Sequence, residues 1–208
     1  MLDVLICLVT GYIFGCFQTG YFYGRLHGID IRDYGSGNAG TTNTLRVLGK
    51  KAGYITYVGD ALKAIIAILL MKYVLFGMFV KPEIGMELIQ AYTGLGVAIG
   101  HNFPFYLGFK GGKGIASTSG VMLAMDLRIG LLGIIGFFLI FFSTRYVSVG
   151  SLWLSLAFPI GVLIFYPGHW HLFIVSVIFW LMAWYRHKEN IKRLLNGTEN
   201  RFDKKKKN

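Results

Sequence analysis

Ala52-Gly-Tyr-Ile-Thr-Tyr-Val-Gly-Asp-Ala-Leu-Lys-Ala-Ile-Ile-Ala-Ile-Leu-Leu-Met-Lys-Tyr-Val-Leu-Phe76 is the stretch that decides the fold class. About 20 predominantly apolar residues carry an α-helix across the hydrocarbon core of a bilayer. This run is long enough, and Asp60, Lys63 and Lys72 are its only charges. Working outward, six further apolar runs appear, near 3–24, 85–101, 114–126, 128–143, 148–166 and 170–186. The expectation is an all-α integral membrane protein of about seven transmembrane helices. The fourth and fifth runs are short and are separated by Asp126 and Arg128. Joined as one hairpin that does not cross fully, they leave five or six spans as alternatives.

Composition agrees. The chain has 208 residues, 54% hydrophobic and 15% charged, with a mean hydropathy of +0.55. A soluble domain carries roughly 25% charged residues. The 28 glycines suit helices packed closely in lipid. The net charge of +11 does not point to nucleic acid, because the cations lie in short loops and at the C-terminus between apolar runs. Cys7 and Cys16 lie nine apart in one apolar run. They cannot pair with each other, so both read as packing residues and no disulfide framework is expected. Met1-Leu2-Asp3 lacks the positive region of a cleaved signal peptide, so the first run reads as a retained span.

With seven spans, 17 of the 21 Lys and Arg residues fall on one side, and Lys72, Lys81 and Arg128 on the other. The positive-inside rule then puts the N-terminus outside and the C-terminus in the cytosol. No internal repeat or interdomain linker is visible, so residues 1–208 read as one transmembrane domain, with 203–208 a disordered basic tail.

Three polar segments interrupt the apolar chain, all on the expected cytosolic side. Asp30 to Arg46 packs Gly35, Gly37 and Gly40 among Ser36, Asn38, Thr41, Thr42 and Asn43. Such a glycine density lets backbone N–H groups converge on phosphate oxygens, and Arg46 adds a planar cation. As a loop it is long for a plain connection between helices. Gly100 to Gly114 holds His101 and then Lys110-Gly111-Gly112-Lys113-Gly114, directly before an apolar helix whose N-terminus favours anions. It is not a P-loop, because Gly108 to Gly112 leaves three intervening residues and Gly114 follows the lysine. Arg186 to Glu199 continues the last run into a basic amphipathic turn, with Asn190 and Arg193 on one face. The same turn also reads as an interfacial helix on anionic lipid.

Lys63 and Asp60, three apart inside a span, read either as a mutual pair or as part of a site. Arg145 and Ser148 lie in a short loop on the same side. His101 reads as a phosphate ligand or a proton acceptor. No metal-ligand spacing is present, and no metal or cofactor is expected. The set binds phosphorylated groups and stabilises developing oxyanions, yet it has no legible nucleophile of its own. Residues alone thus lead to a membrane site for phosphorylated lipid precursors.

Gly35-Ser-Gly-Asn-Ala-Gly-Thr-Thr-Asn-Thr-Leu-Arg46, Gly100-His-Asn-Phe-Pro with Phe109-Lys-Gly-Gly-Lys-Gly114, and Arg186-His-x-x-Asn-Ile-x-Arg193 with Gly197-Thr-Glu199 occur in that order. They resemble the three signatures of the bacterial acyl phosphate:glycerol-3-phosphate acyltransferase family, and the resemblance covers essentially the whole chain. It implies a seven-helix protein of the bacterial cell membrane with its active site facing the cytosol. It implies acyl transfer from a long-chain acyl phosphate to the sn-1 hydroxyl of glycerol 3-phosphate, giving 1-acylglycerol 3-phosphate and phosphate. Acyl-CoA and acyl carrier protein would play no part. The chain also lacks the His-x-x-x-x-Asp motif of other acyltransferases, since Phe105 and Tyr106 follow His101 at that distance.

By motif position, the resemblance assigns catalytic roles to His101, Ser36, Lys110, Asn190 and Ser148. It assigns substrate or phosphate contacts to Gly35, Gly37, Asn38, Gly40, Thr41, Thr42, Asn43, Arg46, Lys63, Gly111, Gly112, Lys113, Gly114, Arg145, Arg193 and Glu199. A monomer in membrane lipid is expected. The alternative reading is a transporter for an organic phosphate anion. Against it stand the absence of repeats and of midplane polar residues beyond Asp60 and Lys63.

Overall fold

The structure is a computed structural model that describes residues 1–79 and 82–202. The expected tail at 203–208 and Lys81 lie outside the described residues. The described chain is all-helical. Its helices are α1 (Leu2–Cys16), α2 (Thr19–Leu26), α3 (Thr41–Leu48), α4 (Lys50–Leu69), α5 (Met86–Asn102), α6 (Ile115–Met125), α7 (Leu127–Thr144), α8 (Val147–Phe165), α9 (Trp170–Arg186) and α10 (Lys188–Leu195). α4 runs on as a π-helical stretch, Leu70–Phe79. Each of the seven apolar runs is helical. Among the described residues, four segments are long and apolar enough to cross a membrane: Leu2–Leu26, Lys50–Phe79, Leu127–Thr144 and Val147–Phe165. α6, with 11 residues, reaches only about 16 Å.

The helices are apolar on both faces, but their two faces differ in side-chain size. α1 buries Asp3, Cys7, Gly11 and Gly15 and exposes Leu2, Leu5, Val9 and Ile13. α7 buries Ile129, Gly130 and Gly133 and exposes Leu131, Ile135, Phe138, Leu139 and Phe142. Small residues inward and large apolar ones outward is the pattern of helices solvated by lipid.

The tightest contact is α1 against α5. Gly11 on α1 meets Gly96 on α5, and one turn along Gly15 lies against the Val97 backbone and Gly100 against Tyr12 and Cys16. A Cβ on Gly11 would stand 3.0 Å from the Cα of Gly96, and one on Gly96 would stand 3.0 Å from the Cα of Gly11. Only glycine allows this approach, and it makes α5 the buried post of the bundle. Around it, Ile68, Leu95, Val97, Val121, Met122, Phe158 and Phe179 fill the core.

The first run, expected as one helix over 3–24, is broken. Phe17 and Gln18 are extended and separate α1 from α2. Three carbonyls at this break have side-chain donors. Lys63 Nζ donates to the oxygens of Gly15 and Phe17, Gln18 Nε2 donates to Gly15, and Tyr106 Oη donates to Cys16. An interrupted helix inside a bundle persists only when its freed polar groups are satisfied. The first polar segment also departs from a plain loop, because its second half is α3, capped by Gly40.

The polar segments 27–49, 103–114, 145–147 and 187–202 gather at one end of the bundle. Arg32 Nη1 donates to Leu107 O at 3.2 Å, Asn38 Nδ2 to Gly111 O at 3.3 Å, and Phe202 N to Arg145 O at 2.9 Å. The opposite end holds Asp126 paired with Arg128, and His169 beside Glu87.

Gly96→Val would drive methyl groups into the α1 backbone. The expected cost is about 1–3 kcal/mol, as for other overpacked cores. Leu5→Ala, on the outward stripe, should stay within about 0.5 kcal/mol. Thermal unfolding of both variants in one detergent checks this; equal losses would contradict the packing.

Candidate active site

The helix break places a buried charged group beneath the polar end. Asp60 and Lys63, three apart on α4, are 1% and 6% exposed and pair at 2.9 Å. Lys63 Nζ also meets His101 Nδ1 at 2.9 Å, and Thr19 Oγ1 donates to Asp60 Oδ1 at 3.1 Å. His101, on the last turn of α5, is 2% exposed. Its backbone carbonyl accepts from Gln18 Nε2 at 3.0 Å and from Gly112 N at 3.0 Å.

Above this group lies the glycine loop. Gly111 N and Gly112 N donate to Asn102 O and His101 O, the closing carbonyls of α5. Those two amides are therefore committed, and the donors open to an anion shift one step along. They are the first amides of α6, which lack intrahelical partners by construction. Arg186 grips the other side of the loop, donating from Nη2 to Gly111 O at 3.1 Å and Gly112 O at 2.8 Å. A Cβ on Gly112 would collide with His101 Nε2, so this glycine seats the loop on the imidazole.

Two polar side chains, one at the end of α5 and one in the first turn of α6, have no hydrogen-bond partner among the described residues. They are the Asn102 carboxamide, at both its atoms, and the Ser117 hydroxyl. Asn102 Oδ1 lies 3.0 Å from where a Gly114 Cβ would sit, so the amide faces the mouth of α6. Buried polar groups are nearly always paired, so these atoms stand open to a further partner at the start of α6.

The third segment closes the site. Lys113 Nζ donates to Asn190 Oδ1. Asn190 Nδ2 donates to Glu199 Oε1 at 2.7 Å, and Arg193 Nε donates to Glu199 Oε2 at 2.7 Å. Burial pulls the Lys113 ammonium down to about 8, and the charges of Arg193, Arg186 and Arg46 push the same way against Glu199. Glu199 lies below the usual carboxylate range, because the bonds from Asn190 and Arg193 outweigh the effect of its burial. His187, 4% exposed, faces Ala183 O through Nδ1 at 2.8 Å, and burial holds its pKa down to about 4. Ser148 stands beside Glu199 without closing a hydrogen bond of ordinary geometry.

The residues expected from sequence take different places. Lys113, Asn190, Arg193, Glu199 and Ser148 converge, and Arg46 is near enough for its charge to act on Lys113. Asn43 organises its own loop, accepting from Ser36 N and donating to Ile31 O and Tyr34 O. Asn38 ties that loop to Gly111. The side chains of Ser36 and Lys110 are exposed on the rims and make no hydrogen bond to another described residue. Arg145 takes a left-handed conformation at the end of α7, and Thr41 opens α3 with its hydroxyl unpartnered. Sequence reasoning passed over Asn102, Ser117, Arg186, His187 and Gln18. His187 and Arg186 stood in a segment already singled out, and Asn102 stood next to His101.

An apolar groove of about 430 Å³ runs between α1 and α4, lined by Ile13, Phe14, Phe17, Gly59, Leu62 and Ile66, and reaches Lys63. Leu62 and Ile66 are about half exposed, so the groove opens sideways. The ensemble is a cationic, donor-rich chamber with few carboxylates, joined to an apolar groove. Its histidines meet a lysine and a backbone carbonyl, and neither forms a Ser–His–Asp arrangement.

The sequence pattern of the family described as glycerol-3-phosphate acyltransferase matches residues 5–197. A glycerol-3-phosphate acyltransferase of Clostridioides difficile is 41% identical, over 97% of each chain. One from Alkaliphilus metalliredigens is 40% identical, again over 97% of each. The crystal structure of PlsY (YgiH), an integral membrane glycerol 3-phosphate acyltransferase, in its glycerol 3-phosphate form superposes with a TM-score of 0.84 at 34% identity, covering 96% of each chain. Its lysophosphatidic acid form gives 0.81 at 33% identity, covering 96% of this chain and 95% of that one. With the three signatures in order and the fold shared end to end, this chain belongs to the glycerol-3-phosphate acyltransferase family.

Proposed function

We propose that the protein moves a fatty acyl group from a long-chain acyl phosphate to the sn-1 hydroxyl of glycerol 3-phosphate. The products are 1-acylglycerol 3-phosphate and inorganic phosphate. The observation that carries this reading is the convergence of Lys113, Asn190, Arg193 and Glu199 on the open start of α6, where Asn102 and Ser117 lack partners. Such a chamber suits a phosphate. The solved relative described by its glycerol 3-phosphate and lysophosphatidic acid forms supports the same substrate and product.

An acyl phosphate is a mixed anhydride and needs no covalent activation by the enzyme. In this mechanism the glycerol hydroxyl attacks the acyl carbonyl, the new C–O ester bond forms, and the bond from the acyl carbon to the phosphate oxygen breaks. The hydroxyl proton ends on an oxygen of the departing phosphate. Lys113, Arg193, Arg46 and the first amides of α6 hold the phosphates in line and stabilise the charge that develops. The acyl chain lies in the groove between α1 and α4, whose lateral opening admits a lipid directly. Seven crossings put the N-terminus outside and the site at the cytosolic face of a bacterial membrane. The protein acts as a monomer without metal or cofactor.

The competing transport reading is separated in one experiment. Vesicles carrying the purified protein receive radiolabelled glycerol 3-phosphate and palmitoyl phosphate. Label recovered in lysophosphatidic acid, dependent on palmitoyl phosphate, supports the enzyme. Unmodified label inside the vesicles, with no lipid product, supports a carrier.

Lys113→Ala should lower kcat/KM by about 10²–10³, the scale of losing one donor to a developing anion. A loss under about threefold would remove Lys113 from the chamber. The titration of Lys113 near 8 sets a direction as well. The ammonium form holds the anion and is lost as pH rises through that value. The KM for glycerol 3-phosphate should therefore climb above pH 8, and Lys113→Arg, which stays charged, should flatten the climb. A steeper climb in the Arg variant would refute the assignment.

A further inference from the structure

We infer that Lys63 is a positioning residue that fixes His101 as a neutral imidazole protonated on Nε2, so that His101 meets its ligand as a hydrogen-bond donor and not as a base. The inference deepens the proposed acyltransferase and concerns the same chamber.

The hydrogens available at Lys63 Nζ decide the tautomer. Lys63 Nζ faces Gly15 O, Phe17 O and Asp60 Oδ1. Two of these are carbonyls, which only accept. The third is a carboxylate oxygen that also receives the Thr19 hydroxyl, so it too accepts. Three acceptors call on all three ammonium hydrogens. His101 Nδ1 is the fourth neighbour, at 2.9 Å. With Lys63 held as an ammonium by the Asp60 carboxylate 2.9 Å away, a hydrogen on Nδ1 would point at a nitrogen with no lone pair left. Nδ1 must therefore be bare and share a lysine hydrogen. A neutral imidazole with a bare Nδ1 carries its proton on Nε2.

Asp60 does not offer Nδ1 a better partner, because its Oδ1 lies 3.8 Å from it. The other charge bearing on the ring is Arg186, also a cation. Full protonation of His101 would thus add a positive charge beside two others, in a site 2% exposed. Of the three charges that bear on the ring, Asp60 alone favours a protonated imidazole, and Lys63 and Arg186 both oppose it.

The orientation gives the donor a target. Nε2 faces Gly112, where a Cβ would overlap it. Gly112 belongs to the loop that presents Lys113 and opens α6. Nε2 thus lies at the border of the chamber, next to the loop residue that precedes Lys113, and in this inference its N–H meets a phosphate oxygen or the acyl carbonyl oxygen as that atom gains charge. The Lys63 Nζ faces Gly15 O, Phe17 O, Asp60 and His101. Its effect on the reaction passes through the imidazole.

Two measurements test this. The first is 15N NMR of the protein in lipid nanodiscs, labelled in histidine imidazoles, with the His101 resonances identified by their loss in His101→Gln. A protonated Nε2 and a bare Nδ1 across the neutral range is expected. A protonated Nδ1 would overturn the inference whatever the enzyme does. Lys63→Met should turn the same resonances into a tautomer mixture; unchanged resonances would show that Lys63 does not set the proton.

The second is turnover with palmitoyl phosphate and glycerol 3-phosphate, at saturation in both. Glutamine carries an N–H near the position of Nε2 but cannot take a proton at neutral pH. His101→Gln should keep kcat at least tenfold above His101→Ala if the donor role holds. Equal loss in the two variants would overturn it. A wild-type protein with the expected NMR pattern and no lipid product would overturn the acyltransferase reading alone.

Discussion

A lysine ammonium inside a membrane bundle must be surrounded by acceptors, and that requirement organises this protein. Isolated charge in hydrocarbon is costly, and such groups pair with carboxylates or with backbone carbonyls. Lys63 does both. Its carbonyl partners are available only because the first span breaks at Phe17 and Gln18. The break in turn releases Gln18 and Thr19, which bind the His101 carbonyl and Asp60. One buried charge thus links α1, α2, α4 and the end of α5. The glycine loop then hangs from the same carbonyl of His101 through Gly112 N. The polar chamber above is built on this buried group.

The glycine pairs of α1 and α5 make that arrangement possible. Gly11, Gly15, Gly96 and Gly100 bring two backbones close enough for the end of α1 and the end of α5 to share donors. The outer faces then carry the large apolar residues, which leaves lipid as the solvent. The cation-rich segments meet at one end of that packed core. The site is therefore a shelf at one end of a tightly packed post, with an apolar groove running down beside it.

Hydropathy located the helices because a run of uncharged residues leaves the chain few alternatives in lipid. The ends of the apolar runs fall within a residue or two of α5, α6, α7, α8 and α9. It could not see the break at Phe17, since both flanking helices are apolar and the cause lies in Lys63, some 46 residues away. α3 was concealed by its glycine-rich approach, although Leu45 and Leu48 repeat at helical spacing. The two glycine pairs four apart were legible as a packing signal and went unread. Within the site, cation-rich segments announced Lys113, Arg193 and Arg46. Spacing cannot report which amides of Gly111 and Gly112 are already committed, nor that Asn102 and Ser117 are left without partners. Those properties belong to contacts between segments distant in sequence.

The central claim is that the chamber aligns two phosphorylated substrates and supplies no nucleophile of its own. A single-turnover experiment addresses it most directly. Protein in excess over palmitoyl phosphate is mixed rapidly, first without glycerol 3-phosphate and then with it, and phosphate is followed in time. The account predicts no phosphate burst without the acceptor, and one phosphate per acyl ester formed once the acceptor is present. A stoichiometric burst in its absence, with the acyl group retained on the protein after denaturation, would contradict it.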